Sequence, residues 1–109
     1  MLSESDLREL IGRDVLDSEG KSIGNLETFF NDKDSGVPEW IGVFTGTFRH
    51  HHLLVPVRGA EREGTTALRL QWTKDQVHSA PDYGKPDKAI SEEMEREAYR
   101  HYGLETAAV

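Results

Sequence analysis

The sequence predicts a mainly β fold with short helical additions: a small barrel of five to six strands, a short N-terminal helix and a C-terminal helix. Three observations carry this expectation. Short aliphatic and aromatic runs recur between clusters of turn-forming residues, the spacing of small barrels and sandwiches. The two richest runs, residues 40–44 and 53–57, are apolar at successive positions. Strands of that kind need cover on both faces, whereas a strand with one wet face alternates. Helical apolar spacing, by contrast, is confined to the two ends of the chain.

The totals set the scale. A chain of 109 residues is one domain. With 36 % apolar and 30 % charged residues, the core is small and much of the surface solvated. The absence of cysteine excludes disulfides, thiolate nucleophiles and cysteine-based zinc sites. A net charge of −7 opposes non-specific binding to nucleic acid or anionic lipid, since both rest on phosphate neutralisation. The first residues lack the basic and apolar segments of a secretion signal. No apolar run approaches the roughly 18–20 residues of a membrane helix. The expectation is an acidic, cytoplasmic protein without membrane insertion.

In chain order, Ser5 caps a short helix whose Leu7, Leu10 and Ile11 share a face, and Gly12 ends it. Residues 14–16 read as a strand and 17–20 as a type I turn. Residues 21–31 form a longer strand whose alternation slips: Ile23 and Phe29 fall on one face, Leu26 and Phe30 on the other, with Gly24 marking a bulge. Residues 31–36 are a turn whose oxygen donors lack the order of a calcium loop. In the central strand Trp40, Gly42 and Phe44 point one way and Ile41 and Val43 the other, with Pro38 at its start. After the strand at 53–57 comes a charged loop at 58–64. Residues 65–72 then alternate, with Thr66, Leu68, Leu70 and Trp72 inward and Ala67, Arg69 and Gln71 outward. Thr73 and Gln76 fit a capping box for one helical turn. Residues 81–88, with two prolines and Gly84, read as a linker. Ser91 caps a helix over 92–102, ended by Gly103, with Ile90, Met94, Ala98 and Tyr102 as its apolar stripe. The barrel and its short N-terminal helix thus occupy 1–81. The linker and terminal helix occupy 82–109, packed on the barrel or on a partner.

Several marks, taken in order, resemble the PRC-barrel family. They are Gly12-Arg13-Asp14-Val15 leading to Asp17 and Gly20, Ile23-Gly24, Gly36-Val37-Pro38-Glu39-Trp40-Ile41, Val55-Pro56-Val57 and Val77-His78-Ser79-Ala80-Pro81. The resemblance spans about residues 11–81, and Tyr99-Arg100-His101-Tyr102-Gly103 is similar to the extension of stand-alone bacterial members. The family takes its name from the cytoplasmic domain of the photosynthetic reaction centre H subunit, and a similar barrel occurs in a ribosome-maturation factor. The resemblance implies a shared barrel and no shared reaction. No motif here carries the H subunit's proton-supply role, and a ribosome-maturation role is not expected.

Candidate chemistry is sparse. His50 and His52 share one face of an extended segment, the placement of two imidazole ligands for Zn²⁺, Ni²⁺ or Cu²⁺. Further ligands for a metal site are not placed by the sequence. The same histidines suit a pH-sensing interface. Arg49, Arg58, Arg62 and Arg69, with Phe48, are the one set that would form a basic nucleic-acid patch. No nucleophile elbow or Gly-rich phosphate loop is present, so no catalytic residue and no cofactor are expected. The two-sided apolar strands are the strongest functional pointer. Trp40, Ile41, Val43, Phe44, Leu53, Val55, Ile90, Met94 and Tyr102 are the interface candidates, covered by the terminal helix or by a second subunit. The expected function is a non-enzymatic interaction or scaffold module, a homodimer within an assembly that includes an unidentified protein partner. The alternatives are an RNA- or ribosome-associated accessory protein, or a metal or small-ligand binder using the segment from His50 to His52.

Overall fold

A computed structural model describes residues 2–46, 50–84 and 90–104. Its elements are α1 (Glu4–Leu10), β1 (Asp14–Leu16), β2 (Ser22–Asn31), β3 (Pro38–Thr45), β4 (His51–Pro56), β5 (Glu61–Glu63), β6 (Ala67–Arg69), α2 (Lys74–His78) and α3 (Glu92–His101). The strands form one six-stranded sheet in the order β4-β3-β2-β1-β6-β5. All neighbours are antiparallel except β1 and β6, which run parallel. Among the described residues no ladder closes β4 onto β5, so the barrel is a strongly curled open sheet.

Curling is imposed by β2. Against β1 its register jumps from Val15↔Gly24 to Leu16↔Ser22, leaving Ile23 as an extra residue. Against β3 it jumps from Leu26↔Val43 to Thr28↔Gly42, leaving Glu27 as a second. Each bulge reverses side-chain parity and sharpens the twist. Ile23, Leu26 and Phe29 therefore all join the interior, while Phe30 packs on the opposite side. The sequence pattern put Leu26 with Phe30; the second bulge, at Glu27, is the reason it does not lie there. Gly24 has its own role: a Cβ there would sit 2.2 Å from the Phe44 carbonyl oxygen.

Two apolar clusters result. The interior one gathers Val15, Leu26, Ile41, Val43, Val55 and Leu68 from the sheet, with Leu7 and Leu10 from α1 and Val77 from α2. The second lies on the outer side of β3 and β4, where Trp40 and Leu54 meet Tyr83 and Ala98.

Local details depart from the sequence reading at several points. Ser3, not Ser5, caps α1, accepting from the Asp6 N–H while Asp6 accepts from the Ser3 N–H. Ile11 lies past the helix end and is exposed. The charged loop contains β5, paired with β6. Thr66 is exposed in the turn before β6 and donates to the Glu63 carbonyl, while Ala67, the first residue of β6, is buried like Leu68 after it. Residues 81–84, read as a tether, run along β4: Leu54 N–H donates to Pro81 O (3.2 Å) and Tyr83 N–H to His52 O (2.9 Å). Asp17 is the least expected core residue, only 1 % exposed. Its carboxylate accepts from the N–H groups of Glu19 (2.9 Å), Lys21 (2.8 Å) and Lys74 (3.0 Å), tying the β1–β2 turn to the start of α2. Burial pushes its carboxyl up, but these three donors outweigh that and hold it below its ordinary value.

Candidate functional site

The outer face of β3 and β4 is where side chains with chemistry converge. Ser91 caps α3 by accepting from Met94 N–H (3.1 Å), which sets the helix so that Ala98 lies flat on Trp40 and Leu54. Tyr99 packs against Trp40 with ring centroids 4.7 Å apart and planes inclined by 54°. Each large aromatic then fixes its polar end. Trp40 Nε1 donates to Glu95 (3.0 Å), Tyr99 Oη donates to Glu39, and Tyr102 Oη donates to the Leu54 carbonyl (3.1 Å). Desolvation beneath the helix, with Asp32 and Glu95 nearby, pushes the Glu39 carboxyl up despite the bond from Tyr99. Burial, then the bond to Glu39, pushes the Tyr99 phenol up; burial alone does the same for Tyr102.

Beside this helix lies an open groove of about 700 Å³. Pro38, Pro56, Val57 and Tyr99 give it an apolar lining, and Asp32, Glu39, Glu61 and Arg58 provide charge. Val37, 45 % exposed, stands on its border as one of two exposed large aliphatic residues among those described.

Further along the same face a polar chain runs from residues 81–84 into the sheet. Tyr83 Oη donates to Glu27 (2.5 Å), and Glu27 accepts from His52 Nδ1 (2.8 Å). Glu27 reaches both because it is the bulged residue of β2. Tyr83 reaches it because Gly42 has no side chain: a Cβ there would lie 2.0 Å from the Tyr83 hydroxyl oxygen. Burial first, then Glu27, pushes the Tyr83 phenol up. Phe44 holds His50 and His52 at centroid distances of 5.1 and 5.4 Å. The two histidines therefore share a face, as their spacing predicts. His51 points elsewhere, 3.4 Å from Asp82.

The interface candidates divide. Ile41, Val43, Leu53 and Val55 are interior, and Trp40 and Tyr102 are buried within the single chain. These six are not surface residues, because the curled sheet and α3 between them cover both faces of β3 and β4. Ile90 and Met94 are half-buried contributors to that cover, and Phe44 is half-buried, in contact with both histidine rings. Of the arginines, Arg49 lies outside the described residues, as does Phe48. Arg62 is bound to Asp6 and Glu9, and Arg69 to Glu63 and the Ser18 carbonyl. Arg58 alone borders the groove. Of the three described arginines of that set, two are thus tied to carboxylates and one lines the groove. Among the described residues no three His, Asp or Glu side chains converge as a metal cage. No described helix is long and apolar enough to cross a membrane.

Glu39 and Tyr99 enter the sequence reading only as members of family motifs, and Glu27 and Tyr83 not at all. The one signal was a tyrosine inside a Pro- and Gly-rich stretch, since an aromatic there has somewhere to pack.

No curated protein matches the chain. The PRC-barrel domain family matches it over residues 3–77, from the start of α1 into α2.

Proposed function

Since the chain belongs to the PRC-barrel domain family, we propose that it is a non-enzymatic interaction module whose binding face is the groove beside α3. The observation that carries this is a contrast in cover. The large apolar faces are buried by the chain itself, while the groove keeps an apolar lining and exposed Val37 open to solvent. Its charge is set by Asp32, Glu39 and Glu61 against Arg58, within a chain of net charge −7. The fitting occupant is an extended segment of a partner protein with an apolar side chain beside lysine or arginine. Family membership speaks for a shared barrel and not for a reaction, which supports the non-enzymatic reading.

A photo-crosslinking residue at Val37 tests the site, with the same residue at Ile11 as control. The expected result is a discrete adduct from Val37 that is absent from Ile11 and weakened by salt. Equal labelling from both positions rejects the groove. Light scattering at micromolar concentration tests the homodimer. With Trp40 and Leu54 beneath α3, a dimer uses the groove, and a Val37–Val37 adduct between copies identifies a second copy as the occupant.

A further inference from the structure

We propose that His50 and His52 form a binding site for a divalent late transition metal of the zinc and copper class, with Glu27 as the positioning residue for His52. The backbone supplies the spacing. Alternate residues of an extended strand stand roughly 7 Å apart on one face, close enough for two imidazoles to converge on one ion at bonds of about 2 Å. Phe44 lies against both rings and keeps them on that face.

The second observation is the state of His52. Both oxygens of Glu27 lie within reach of Nδ1, at 2.9 and 2.8 Å. A carboxylate only accepts, so Nδ1 carries the hydrogen and, in the neutral ring, Nε2 carries the lone pair. A carboxylate oriented in turn by Tyr83 Oη thereby fixes the tautomer and the orientation of the ring, the arrangement found behind metal-ligating histidines. The His52 side chain is 21 % exposed, so the ring is not sealed in the protein. The Glu27 carboxylate also favours a cation. Two protein ligands leave the remaining positions to water or to donors of a bound molecule, so the ion is exchangeable and does not hold the fold together.

Zinc titration of the untagged full chain, followed by calorimetry and by the imidazole nitrogen resonances, tests the site. Saturable binding is expected, with His50 and His52 resonances moving and His51 unchanged. His50→Ala, at an exposed position, and His52→Ala each weaken binding at least tenfold, whereas His51→Ala leaves it within about twofold. Glu27→Gln weakens it roughly tenfold and shifts the apo His52 ring toward the other tautomer, which a loss of fold would not do selectively. Absence of saturable binding to the wild-type chain overturns the proposal. So does a His51→Ala variant that loses as much affinity as His50→Ala.

Discussion

The two sides of β3 are buried by different means. Toward the interior, Ile41 and Val43 meet aliphatic neighbours such as Leu26, Val55 and Leu68, and the contact is dispersion and desolvation alone. Toward α3, the aromatic residues Trp40, Tyr99 and Tyr102 each end in a hydrogen bond to a carboxylate or carbonyl. Aliphatic packing fixes volume and tolerates rotation. Directed bonds fix the rotation and register of a helix. A ten-residue helix has little stability of its own, so α3 owes its place to these anchors. It is also the element expected to open locally before the sheet does.

The contrast can be broken on either side. Leu26→Ala removes a fully buried interior side chain and is expected to cost about 2–5 kcal/mol, lowering the urea midpoint of the whole domain. Asp17→Ala strikes a polar fastener inside the fold. It strips acceptors from three main-chain donors and is expected to cost roughly 2–4 kcal/mol. Its pH signature follows from the depressed folded value: the contribution is present above the ordinary 3.8 and is lost as pH falls through the folded value. The variant is flatter with pH over that window. Trp40→Phe keeps the ring packing but deletes the bond to Glu95, costing about 1–2 kcal/mol. Amide exchange should accelerate in α3 and not in β1 or β2; equal acceleration everywhere would show that helix and sheet open as one unit.

The smallest effect sharpens the comparison. Glu39 is an acid whose folded value is raised, so its share of stability falls as pH rises from the ordinary 4.5 through the raised value. Glu39→Gln removes that slope while changing stability by under about 1 kcal/mol. Denaturation midpoints across this range measure it.

Legibility in the sequence followed the range of the interactions. The stripe Ile90, Met94, Ala98 and Tyr102 was readable because helical spacing is local, and the structure sets all four against the barrel. The two-sided character of β3 and β4 was readable for the same reason. The bulge at Glu27 was not, because a bulge is defined by the partner strand's register, here Leu26↔Val43 followed by Thr28↔Gly42. Asp17 looked like an ordinary turn residue: two of its donors are within four positions, but the third, Lys74 N–H, comes from α2. Tyr83 and Glu27 are 56 positions apart, and their meeting depends on Gly42 lacking a side chain. Polar networks of this kind are assembled by tertiary approach, and one chain's spacing carries little trace of it.

The placement of residues 81–84 has a consequence for behaviour at high concentration. β4 and β5 are the two margins of the sheet. β5 reads Glu61-Arg62-Glu63, three residues too short and too charged to template strand growth. β4 carries Leu53-Leu54-Val55, a sequence suited to fibre nucleation were its main chain open. The Pro81 carbonyl and the Tyr83 N–H occupy that margin instead. The stretch that resembled a mere tether works as a selvedge, keeping the sheet from unravelling into its neighbours.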